Sequence, residues 1–90
     1  MIESDKQLAD RACQVLTRAR YTHQKAALGE VGLLREQIGS GDGVERERAE
    51  AWLAICTLYD GLSGKSRLSD LDARWQKAID KTAAWLASIR

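Results

Sequence analysis

The chain has no proline among its 90 residues, a single histidine and only two cysteines. Without proline, nothing in the sequence forces a helix to end or a strand to stay at an edge. Without clustered His and Cys, the usual zinc and nucleophile arrangements have few members to draw on. β-Branched residues are also scarce: Val15, Val31 and Val44 are the only valines, and four isoleucines lie beyond the N-terminal dipeptide. That composition excludes a sheet-built fold. No apolar run approaches the ~20 residues that cross a bilayer. The opening Met1-Ile2-Glu3-Ser4-Asp5-Lys6 lacks the apolar core of a signal peptide, so a cytoplasmic location is expected. Net charge is short too, 14 basic against 13 acidic residues, which argues against strong non-specific attraction to nucleic acid.

What remains is helix-forming material. Apolar residues make up 44 % of the chain, and Ala, Leu, Arg, Lys, Glu and Gln are abundant. A chain this short forms one domain and buries only about 60–65 % of its unfolded surface. The period is helical throughout. From an N-cap at Ser4 or Asp5, Leu8, Ala12, Val15, Leu16, Ala19, Ala26 and Ala27 recur in helical phase. The pattern continues through Val31, Leu34 and Ile38. This predicts one helix over 4–38, bent or interrupted at Gly29 and Gly32 if anywhere, since each glycine costs about 1 kcal/mol in a helix interior.

Gly39-Ser40-Gly41-Asp42-Gly43 is the clearest turn, and Asp42 with Glu45 has capping-box spacing. A second helix is expected over 44–60, apolar over more than half its girth through Ala49, Trp52, Leu53, Ile55, Cys56, Leu58 and Tyr59. A third is expected over 69–90, capped by Ser69 with Asp72. It carries a short heptad seam of Leu71, Trp75, Ala78, Thr82, Trp85 and Ile89. The fold class is therefore all-α: an antiparallel three-helix bundle, or a long helical hairpin plus a third helix. Trp52, Ile55, Leu71, Trp75 and Leu86 are the expected core, with the alanines of the first helix facing the large tryptophans.

Two glycine-rich stretches invite a nucleotide reading. In "YDGLSGKSRL" the first glycine of a phosphate-binding loop would fall at Tyr59, and the stretch follows a helix rather than a strand. Gly61 reads better as a helix C-cap. "GSGDG" likewise lacks a preceding strand, and lacks the ligand spacing of a calcium loop. No cofactor and no metal are expected.

Catalytic constellations are not found. His23 sits far along the first helix from Cys13, and reads as an imidazole at the edge of a core or interface. The cysteines read as reduced and buried. Arg46 and Glu50 form an i,i+4 pair at a solvated helix start. The chain is read as not an enzyme.

One charge feature stands out. From Arg11 to Gly29 there is no acid. On one continuous helix Arg11, Arg18 and Lys25, seven apart, would share a face with Gln14. Arg11, Arg18, Arg20, His23 and Lys25 are the candidate partner-binding residues. The expected function is a protein–protein interaction module: an adaptor, a co-chaperone or an inhibitor. The alternative is a small nucleic-acid-binding regulator using the same stripe. A first helix of ~35 residues would be about 52 Å long, more than its two companions could cover, so a homodimer is also expected.

Overall fold

The computed structural model describes residues 5–39, 46–64 and 68–89. They form four α-helices: α1 Asp5–Ala19, α2 Gln24–Ile38, α3 Arg46–Ser63 and α4 Leu68–Ser88. The expected single helix over 4–38 is thus two helices, and a helix of 52 Å would not fit within a molecule whose longest axis is 36 Å. The break lies at Arg20–His23, not at the glycines. The Thr22 hydroxyl donates to the Ala19 carbonyl at 2.8 Å, and the Tyr21 and Thr22 amides reach back three residues to Arg18 and Ala19. A side chain that bonds its own backbone competes with the helical ladder. His23 is then extended (φ −60°, ψ 142°), and α2 starts with the Ala27 amide on its carbonyl.

Gly29 faces open space, with nothing near the position of a Cβ. Gly32 is where another side chain comes close: a Cβ there would sit 3.1 Å from Tyr59. Gly39 takes φ 60° and donates its amide to the Arg35 carbonyl, closing α2 where the sequence places a turn. The Ser4 cap, the Asp42–Glu45 capping box, and Lys65 and Ser66 lie outside the described residues. Gly61 is not a C-cap. It lies inside α3, where it lets α4 approach: an added Cβ would fall 2.9 Å from Arg74 Cδ and 3.3 Å from Leu71. α4 begins at Leu68, and Asp72 pairs with Arg20 of α1.

Each helix runs antiparallel to its chain neighbour, and α4 returns to pack on α1, closing a four-helix ring. Cross-helix bonds set the register: Arg11 to Gln37, Trp52 to the Arg35 carbonyl, Arg74 to the Thr57 carbonyl, and Arg20 to Gln76. The α1–α2 side is the most sparsely packed and α3–α4 the most closely packed. Helices of similar length cover one another in such a ring. The uncovered stripe of a long first helix, the basis for expecting a homodimer, does not exist.

The core combines Ala9, Ala12, Leu16 and Ala19 of α1 with Val31, Ile38, Ile55, Leu58 and the wholly buried Trp85. Small residues on α1 make room for the large indoles of α4. Ile55 and Trp75 are buried as expected. Trp52, Leu71 and Leu86 are only half-buried and pack against the core from its edge. Trp52 lies there because its indole N–H needs a partner, which it finds 3.0 Å away in the Arg35 carbonyl. Ala26 is exposed while Ala27 is buried.

Arg48 touches all four helices. From α3 it donates to Asp5 at the start of α1 at 2.9 Å and to the Ile38 carbonyl at the end of α2. Its guanidinium carbon lies 5.8 Å from the Trp85 ring centroid on α4. The planar fork satisfies a carboxylate and an orphan helix-terminal carbonyl together.

Two expectations follow, both read by chemical denaturation. Gly29→Ala should stabilise the fold by about 0.5–1 kcal/mol, because the site is open and helical, whereas Gly61→Ala should gain less than Gly29→Ala, because its methyl must displace the Arg74 and Leu71 side chains. Arg48→Ala should lose about 2–3 kcal/mol, as charge-assisted hydrogen bonds to a carboxylate and a carbonyl are removed, and Arg48→Lys should recover little, since an ammonium lacks the fork.

Candidate functional site

The groups that carry chemistry are dispersed. Cys13 on α1 and Cys56 on α3 are free, half-buried thiols on helices that do not pack against each other. Burial pushes the Cys13 thiol above its ordinary value, and the nearby Asp10 carboxylate adds to this. Burial raises Cys56 as well, with Arg35 opposing and Asp60 reinforcing the shift. Both are therefore poor nucleophiles at neutral pH. The Arg46 hydrogen bond at 3.2 Å and the Lys81 ammonium at 3.5 Å hold the Glu50 carboxyl below its usual range. Among the described residues no group of three or more His, Cys, Asp or Glu is placed to hold a metal ion. No helix of the described residues is long and apolar enough to cross a membrane.

The five candidate partner-binding residues occupy three different settings. Arg20 is taken up by the bundle: it donates to Gln76 at 3.1 Å and pairs with Asp72, so it serves the α1–α4 seam. Arg11, half-buried, reaches Gln37 of α2 at 2.6 Å. Arg18 is exposed near the end of α1. His23 and Lys25 are exposed on the far side of the turn, at the start of α2. The expected stripe of Arg11, Arg18 and Lys25 on one helix face is therefore corrected, because Lys25 belongs to a helix running back the other way.

Two surface features emerge instead. The first is the turn end of α1–α2. Tyr21 is 83 % exposed there, beside a shallow dish of about 230 Å³ shaped also by Arg20, Leu71, Asp72 and Trp75. α2 then begins without an acidic residue in its first turn, and His23 at the N-cap makes no side-chain cap bond. A helix N-terminus carries partial positive charge and is normally met by an acid or a capping oxygen. Here it is met by His23 and Lys25.

The second is a groove of about 210 Å³ between α1 and α2, formed by Arg11, Val15, Glu30, Leu33, Leu34 and Gln37. Leu33 is 57 % exposed on its rim. One Glu30 carboxylate oxygen is buried with no hydrogen-bond partner. The sequence pattern does not single out Tyr21, Glu30 or Leu33. Tyr21 becomes conspicuous only when the helix is known to end beside it, and Leu33 falls off the core period of α2.

The thiol environments are open to direct measurement. Ellman's reagent should titrate both thiols slowly at neutral pH, the rate rising only as pH climbs past the ordinary thiol range. A thiol that reacts fast at pH 7 would contradict the burial described for it.

Comparison with protein-family models, with curated proteins and with solved structures gives no match for this chain.

Proposed function

We propose that the protein is a non-enzymatic interaction module that receives an acidic segment of another protein at the α1–α2 turn, acting as an adaptor, co-chaperone or inhibitor. The observation that carries this reading is the start of α2, where the positive pole of a helix is left without acid or cap and gains His23 and Lys25 instead. Local stability alone disfavours that arrangement. A carboxylate-bearing partner would relieve it, because free helix N–H groups and a nearby cation form a ready anion site. Tyr21 adds the apolar contact area that interface hot spots draw from aromatic residues.

The bundle supplies rigidity. Thr22 locks the end of α1, and Gln24 donates to the Leu62 carbonyl at 2.8 Å, tying the start of α2 to the end of α3. A surface fixed in this way binds with little ordering of its own.

The test compares the wild-type chain with Tyr21→Ala/Lys25→Glu, immobilised and presented with lysate of the native host. The variant should keep its helical circular dichroism and melting temperature. It should lose at least about tenfold in affinity for the captured protein, as hot-spot truncation does. A synthetic acidic peptide from that protein should compete. A random-sequence DNA duplex is the second arm: binding that falls steeply with salt and is lost on Lys25→Glu would instead support a nucleic-acid regulator and overturn the proposal.

A further inference from the structure

We propose that the α1–α2 face pairs with the same face of a second copy of this chain, forming a twofold dimer in which Arg18 of each copy meets Glu30 of the other. The Arg11–Gln37 hydrogen bond sets the antiparallel register of the two helices. In that register Val15 lies level with Leu33, and Arg18 with Glu30. Within one copy Arg18 and Glu30 form no ion pair with each other, although the register sets them level on adjacent helices. Glu30 instead keeps an oxygen withdrawn from water and without a donor. A buried carboxylate oxygen in that state is costly. The other Glu30 oxygen is not enclosed, and the exposed Arg18 guanidinium of a second copy is the kind of donor that can reach it from outside.

A twofold axis lying in the interface, parallel to the helices, places α1 of one copy over α2 of the other. Level residues then exchange partners. Arg18 of each copy comes over Glu30 of its mate, and the exposed Leu33 comes over the groove floor at Val15. Every contact occurs twice, as an isologous interface requires. The charge pattern favours this occupant over an acidic or a basic peptide, because the face carries both signs, the cation on α1 and the carboxylate on α2. The turn bearing Tyr21 lies at the end of this face and stays open, so the dimer is independent of the acidic-partner reading.

Sedimentation equilibrium over a range of loading concentrations tests the pairing. The wild type should be dimeric at ~100 µM, and Arg18→Glu and Glu30→Arg should each weaken the dimer by about tenfold or more, because like charges then face each other. Mixing the two single variants should restore a dimer, since every facing pair is again opposite in sign. The double variant Arg18→Glu/Glu30→Arg should also self-associate. Leu33→Asp, a change at an exposed position, should give a monomer with unchanged circular dichroism. A wild-type monomer at ~100 µM would overturn the proposal, as would single variants that dimerise as well as the wild type. So would mixed variants that stay apart.

Discussion

The closed ring of four helices depends on Arg48. From its own place on α3 it reaches the first turn of α1, the last carbonyl of α2 and the indole of α4. Its charge is mostly withdrawn from water, with 21 % of the side chain exposed. Such a group is stable only where every contact is made at once, so it specifies the assembly as well as contributing to it. Its Nε and the Trp85 indole nitrogen remain buried without partners. This end of the bundle is therefore tightly determined but not fully satisfied.

At the opposite end the arrangement is reversed. The α1–α2 turn is held by short local bonds, and its charged groups face outward. Packing follows the same gradient around the ring: α3 and α4 approach closely, helped by Gly61, while α1 and α2 meet sparsely and leave a groove. Bundles concentrate binding where helices diverge, because a rigid scaffold elsewhere holds the open side in shape. The groove and the turn both border that open side.

Much of this architecture is legible in the sequence. Composition accounts for the all-helical character of the described residues, and period and turn chemistry account for the end of α2 after Ile38 and for the buried Ile55 and Trp75. The break between α1 and α2 is hidden because the polar stretch from Arg20 to Lys25 fills a seven-residue step from Ala19 to Ala26, two helical turns that keep the apolar phase on both sides. Gly29 and Gly32 draw attention as breakers, yet both are tolerated within α2, one facing open space and one beneath Tyr59. Thr22 ends α1 through a hydroxyl bond that no propensity scale distinguishes from the same residue placed harmlessly. Residue type alone finds the basic residues but not their arrangement. A seven-residue spacing means one face only while the helix continues. Arg20 gives no sign in sequence of its pairing with Asp72, a contact made between distant parts of the chain.

The order of the ring has a kinetic meaning. Each helix packs on the one that precedes it, so most native contacts join segments near each other in the chain. Proteins with such local topology fold in microseconds to milliseconds, since little loop entropy is lost before contacts repay it. Only the α1–α4 seam requires the two ends of the chain to find each other. The Arg20–Asp72 pair bridges that seam, and exchange of buried α1 amides reports how often the ring opens.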